Sequence, residues 1–214
     1  MKEECLPQGF CWSGHHCGLK SDSNSPDYSL IYSDRDAVVA GVYTQNLICA
    51  APVELCRSRT PGTQARAIVT NSGNANACTG SRGVRDAQQM AADVAALLGI
   101  EAEQVLVMST GIIGEFLPME KLIPASVEGV GSLAAGLEAF LDSANGILTT
   151  DQGRKTAGSL VETSQGIVRV AAMAKGAGMI GPNMATMLAA VTTDANLSQE
   201  SAQQILKRAV DKSF

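Results

Sequence analysis

The sequence predicts an α/β protein with mixed sheets and helices packed outside them, and three observations carry that reading. First, a β-rich run at residues 65–70 (ARAIVT), an amphipathic stretch at 84–98 and a second β-rich run at 104–109 (QVLVMS) follow one another. That is the order of a strand–helix–strand crossover, and therefore of parallel pairing. Second, residues 156–162 and 167–174 alternate around Ser164-Gln165-Gly166, the pattern of a hairpin. Third, hydrophobic residues make up 45% of the 214, charged residues 17% and aromatics 4%, a globular composition long enough for one domain with a sizeable core.

Taken in order, residues 28–32 and 37–43 read as two strands joined by an Asp34-Arg35-Asp36 turn, a further hairpin. Residues 51–59 read as a short helix, with Pro52 in the first turn where its missing N–H costs nothing. Pro61-Gly62 marks a surface loop. After the strand at 65–70 comes a loop of small and amide side chains, residues 71–80, in which Asn side chains are expected to bond peptide groups. The helix at 84–98 places Val84, Ala87, Met90, Ala91, Val94, Leu97 and Leu98 on one face, and Gly99 suits its C′ position. Residues 118–127 and 132–145 are helical candidates broken at Gly129. Residues 187–192 read as a buried strand. Ser198 caps a last helix expected to turn Ala202, Ile205, Leu206, Ala209 and Val210 inward.

The net charge is −5 and no basic run exists, which argues against a nucleic-acid partner. The N-terminus lacks an apolar h-region and no stretch reaches ~18 apolar residues, so the expected setting is cytoplasmic, without membrane association. None of the six cysteines forms C-x-x-C. The cluster CWSGHHC matches no usual zinc spacing, so free thiols, structural His15 and His16 and no metal are expected.

The most unusual stretch is KGAGMIGPNMATMLAAVTTD, residues 175–194. Thr186 stands where a Gly-Pro break gives way to an apolar run. A hydroxyl is a poor nucleophile until a base takes its proton. Cutting the bond after Ala185 would leave Thr186 with a free α-amine, ordinary pKa about 7.7–8.0, beside its own hydroxyl. A threonine opening a strand is also an ordinary result of β-propensity. Three other features carry paired readings. The glycines of Ser109-Thr110-Gly111 either make a plain turn or free N–H groups for an oxyanion, where one donor is worth roughly 3–4 kcal/mol. Thr149-Thr150-Asp151 either binds an amino-acid substrate or caps a loop. Lys175 either holds a substrate carboxylate and lowers the pKa of a neighbouring amine, or is a solvated strand-end lysine.

Four blocks, SGNANACTG at 72–80, MSTGIIG at 108–114, ILTTD at 147–151 and KGAGMIGPNMATML at 175–188, resemble in content and order the ornithine acetyltransferase (glutamate N-acetyltransferase) family. GVYTQNLICAAPV at 41–53 resembles its N-terminal region. The resemblance implies a layered α-β-β-α sandwich of the N-terminal-nucleophile-like kind. It implies self-cleavage between Ala185 and Thr186, giving an α chain of residues 1–185 and a β chain whose start is residues 186–214. It implies Thr186 as nucleophile, Thr110 and Gly111 as the oxyanion pair, and substrate contacts from Thr149, Lys175 and Thr186. The implied reaction moves acetyl from N-acetylornithine to glutamate in arginine biosynthesis, with no metal and no cofactor. Acetyl-CoA is a co-substrate if the member is bifunctional. The α and β chains are implied to associate as a heterotetramer.

Two departures accompany the resemblance. Gln152-Gly153-Arg154-Lys155 replaces a typical Thr and Pro before the Lys, which touches the specificity of that loop. Members also continue well beyond the position of Phe214, with a Glu, an Asn and a C-terminal Thr that bind substrate, so this chain reads as a truncated form: a fragment or interrupted frame. The rival readings are an N-terminal-threonine amidase or aminopeptidase, and an inactive truncated remnant.

Overall fold

In the computed structural model, residues 1–176 and 187–213 are described. The strands and helices in chain order are β1 (Phe10–His15), β2 (Tyr28–Val39), α1 (Ala51–Arg59), β3 (Gly62–Asn74), α2 (Gly80–Leu98), β4 (Val105–Ile112), α3 (Met119–Gly131), α4 (Leu137–Gly146), β5 (Lys155–Thr163), β6 (Gly166–Lys175), β7 (Leu188–Thr193) and α5 (Gln199–Ser213). Two sheets result, one in the order β1-β2-β3-β4 and one in the order β5-β6-β7. The first is mixed: β1, β2 and β3 pair antiparallel, while β3 and β4 pair parallel across the α2 crossover. The second is antiparallel, and its β5–β6 hairpin turns at Ser164-Gln165 between the paired Thr163 and Gly166. The α/β class, the parallel pair and this hairpin agree with the sequence reading.

Side-chain alternation sets the layers. On the first sheet Leu30, Val69 and Val107 face one way, into a core completed by Met90, Val94 and Leu122 of α2 and α3. Their neighbours Ile31, Ile68 and Met108 face the other way, into a core with Phe140 and Ala144 of α4 and Ala171, Met173 and Ala190 of the second sheet. Trp12 of β1 meets Phe140 edge-on, centroids 5.5 Å apart, in that second core. α2 ends as expected, with Gly99 in the left-handed region at φ 67°.

Three expectations need correction. Residues 28–43 are not a hairpin. β2 is one long strand between β1 and β3, and Asp34-Arg35-Asp36 lies where the β2–β3 register shifts between Tyr32 and Ala37. The polar triplet imitates a turn, but its neighbours on both sides are strands that lie far away in sequence. The helix break falls after Gly131 rather than at Gly129. Gly129 lies within α3 because a Cβ there would come within 2.7 Å of the Tyr28 ring: the glycine admits a packed ring rather than ending the helix. α5 is capped by Ser198, whose Oγ accepts from Ser201 N at 3.2 Å, but no α5 side chain described is buried and Ile205 is 54% exposed. Gln203 instead pins it through both backbone groups of Gly41. Hydrophobic periodicity names the apolar side of a helix; it does not supply a neighbour to cover it. Among the described residues no helix is long and apolar enough to cross a membrane.

Candidate active site

The inward row of β6 is Ala171, Met173, Lys175, each two residues from the last. Period-two geometry therefore turns the Lys175 side chain into the space between the sheets, leaving it 4% exposed. Its ammonium crosses the seam and donates to Thr110 Oγ1 at 2.8 Å. Thr110, near the end of β4, is itself buried. Burial pulls the Lys175 pKa below the usual lysine value, Asp151 pushes it back up, and Lys155 pulls it down again.

Thr110 and Gly111 stand where β3 and β4 come closest. Gly111 pairs with Gly73 and has φ 135°, and a Cβ on it would overlap the Gly73 carbonyl carbon. Glycine is required there on both counts. β3 runs on to Asn74, into the stretch expected as a loop, because it pairs with β4 along its length, and its amide side chains bond onward toward α2. Asn71 Nδ2 donates to Asn74 O, Asn74 Oδ1 accepts from Asn76 N, and Asn76 Nδ2 donates to Gly83 O, each at 2.8 Å. Ser109 Oγ donates to Asn71 Oδ1 at 2.6 Å, a side-chain tie between β3 and β4. The Asn side chains thus bond peptide groups, as the sequence suggested, and their polar capacity is used in structure.

The connection between α4 and β5 brings a carboxylate to the same place. Asp151 Oδ1 accepts from the backbone N–H of Gly176 at 3.0 Å and from Lys155 Nζ at 2.6 Å. The Asp151 side chain is 1% exposed and that of Lys155 is 52% exposed. Thr149 sits half-buried two residues before Asp151 in this connection. The sequence reading took Thr149-Thr150-Asp151 as one cluster, and the family resemblance narrowed it to Thr149. The signal available for Asp151 was the acidic end of ILTTD with a lysine four residues on.

Ala185 and Thr186 lie outside the described residues. The residues flanking segment 177–186 are described and are neighbours: a Cβ on Gly176 would lie 3.1 Å from Met187 Cγ, and Lys175 pairs with Leu188. The structure therefore gathers Thr110, Gly111, Lys175, Gly176, Asp151 and Met187 at one end of the intersheet seam. A buried ammonium and a hydroxyl in this setting can receive an anionic group, while the carboxylate holds the neighbouring N–H and ammonium donors.

The Cys/His region serves the fold. Buried Asp27 accepts from Cys17 N at 2.6 Å and Lys20 N at 2.8 Å, and its Oδ2 lies 3.2 Å from His16 Nδ1. Burial, with Asp27 beside it, pushes the Cys17 thiol up to about 12, far from a reactive thiolate. His15 packs on Tyr28, ring centroids 4.9 Å apart. The six cysteines are unpaired, and among the described residues no group of three or more His, Cys, Asp or Glu is placed to hold a metal.

Comparison with known proteins gives the family and the fold. Residues 11–214 match the ArgJ family. The chain is 48% identical over 209 residues to the arginine biosynthesis bifunctional protein ArgJ of Rhodopirellula baltica, covering 98% of this chain and 51% of that protein. Its fold is similar to the crystal structure of arginine biosynthesis bifunctional protein argJ from Bacillus halodurans, with TM-score 0.79 and 35% identity over 87% of this chain and 95% of that one. It is also similar to ornithine acetyltransferase complexed with ornithine from Mycobacterium tuberculosis, with TM-score 0.78 and 35% identity over 87% and 96% of the two chains. The chain spans about half the length of the curated relatives it matches.

Proposed function

The chain belongs to the ArgJ family, and on that premise we propose that it is part of an acetyltransferase that carries acetyl from N-acetylornithine to glutamate. The observation that carries the reading is the Lys175–Thr110 bond of 2.8 Å beside Gly176 and Met187. It joins the two family blocks at the place where segment 177–186 begins and ends. Thr186 is joined to Met187 by one peptide bond.

In the first stage Thr186 Oγ attacks the Ala185 carbonyl carbon. The C–N bond breaks, an ester forms, and the nitrogen takes the hydroxyl proton to become the Thr186 amine. Water then hydrolyses the ester, leaving a carboxylate on Ala185 and a free Thr186 hydroxyl. β6 and β7 pair from Val170↔Thr193 to Lys175↔Leu188, so the α chain (1–185) and the β chain (from 186) stay joined after the cut. In the second stage the Thr186 amine takes the hydroxyl proton as Oγ attacks the acetyl carbon of N-acetylornithine, and ornithine leaves with that proton. The glutamate amine attacks the acetyl-threonine, N-acetylglutamate leaves, and Oγ regains a proton. Thr110 and Gly111 steady the oxyanion in both stages. Lys175 and Thr149 hold the substrate. The protein works in the cytoplasm as paired α and β chains in a heterotetramer, without metal, and acetyl-CoA serves as donor if this member is bifunctional.

The test is intact mass followed by assay. Two pieces split at Ala185/Thr186, lost in Thr186→Ala, and glutamate-dependent release of ornithine support the reading. Release of acetate without glutamate would make the protein an amidase instead. A single uncut mass with no turnover would make it an inactive remnant.

A further inference from the structure

We propose that Asp151 is a positioning residue of this site: it anchors the start of segment 177–186 through the Gly176 N–H and sets the charge environment of Lys175. The proposal rests on the acetyltransferase reading and adds a residue to it. Two observations carry it. The Asp151 carboxylate is nearly inaccessible yet bonds a backbone donor, Gly176 N at 3.0 Å, on a different element from its own. A carboxylate at that depth is held because of the groups it faces. The same Oδ1 accepts from Lys155 Nζ at 2.6 Å.

Gly176 has φ 137°, in the left-handed range, so the chain bends sharply as it leaves Lys175. Asp151 bonds the N–H at that bend. A group that fixes this peptide fixes Gly176, and Met187 lies beside Gly176. Position is worth much to an intramolecular attack, where misplacement of a reacting group by about 1 Å can cost 10²-fold.

The second effect is electrostatic. The charged groups acting on Lys175 are Asp151, which favours its protonated form, and Lys155, which opposes it; Lys20 also feels Lys175. Asp151 thus supplies a negative charge to a buried cation that the nearby lysines repel. With that charge removed, the Lys175 proton is held less firmly, and its bond to Thr110 Oγ1 loses its charged donor at a lower pH.

The test uses two variants and two readouts on the full chain. Lys175 is followed by carbon-13 NMR of its Cε through a pH titration, its signal assigned by loss in Lys175→Met. Cleavage at Ala185/Thr186 is followed by intact mass. In Asp151→Asn the Lys175 midpoint moves to lower pH, and cleavage slows by about tenfold or more at neutral pH, the loss of one charged hydrogen bond. Its pH profile moves down with the lysine, which a merely structural defect would not cause. In Lys155→Met the Lys175 midpoint moves to higher pH, and this exposed site keeps the measurement available if Asp151→Asn does not fold. An unmoved Lys175 midpoint in either folded variant overturns the proposal. A wild-type chain that never cleaves overturns the acetyltransferase reading, while the lysine titration still decides the role of Asp151.

Discussion

The two sheets differ in how they are enclosed. The first has cores on both faces: Tyr28, Leu30, Val69 and Val105 are fully buried on one side, and Ile31 is buried on the other. The second is covered on one face. Ala171, Met173, Lys175, Ala190 and Thr192 point inward, whereas Val161 and Val191 on the opposite face are 45% and 53% exposed. The first sheet is therefore the scaffold. The second contributes the one strand row that ends in a charge, and the candidate site forms where that row meets the edge of the scaffold. Polar groups gather at the rim of the intersheet core, where Lys175 donates to Thr110 and Asp151 accepts from Gly176 N and Lys155 Nζ.

Four measurements sharpen or break this contrast. The largest effect is expected at the closest approach of β3 and β4. Gly111→Ala adds a Cβ against the Gly73 backbone at φ 135° and should cost roughly 4 kcal/mol, combining overpacking with left-handed strain. Urea unfolding measures it, and a cost below about 1 kcal/mol would show that the edge relaxes. Next comes the contrast itself. Leu30→Ala in the enclosed sheet should cost about 3 kcal/mol, and Val161→Ala on the open face less than about 0.5 kcal/mol. Similar values for the two would mean the second sheet is covered in solution.

A smaller change is expected from Lys175→Met, within about 1 kcal/mol of wild type in unfolding, because a buried charge traded for a side chain of similar length loses its desolvation cost along with its bond. The same variant should abolish cleavage at Ala185/Thr186 by intact mass, separating stability from chemistry. Normal cleavage would remove Lys175 from the site. The smallest effect concerns His15, whose pKa burial depresses below the ordinary 6.5 against the opposing pull of Glu128 and Asp27. The unfolded ring takes a proton at pH values where the folded ring still resists it. Stability should therefore fall as pH drops from 6.5 through the folded His15 value, then level off as far as this group is concerned. His15→Phe should flatten that part of the profile, and an unchanged slope would assign it to other groups.

Local chemistry sufficed for much of this molecule. The Gly99 stop of α2, the Ser164-Gln165 turn and the Ser198 cap are each decided by residues within a turn or two of one another, so they could be read directly; the α2 stripe is buried at Ala87, Met90, Ala91 and Val94, while Val84 and Leu97 at its ends are 38% and 42% exposed. The family blocks likewise pointed to Thr110, Gly111, Thr149 and Lys175 before any coordinates. The rest needed distant partners. β1 carries FCWSGH, with no clear period of two, and is a strand because β2 pairs with it from Phe10↔Ser33 to His15↔Tyr28. Gly129 looked like a break until the Tyr28 ring was placed beside it, and the α5 stripe looked inward until nothing buried it. Asp151 joined the site because its carboxylate meets an N–H 25 positions away. Helix caps and turns are short-range bonds, legible along the chain. Strand neighbours, ring packing and the company a buried charge keeps are set by which surfaces meet across the fold.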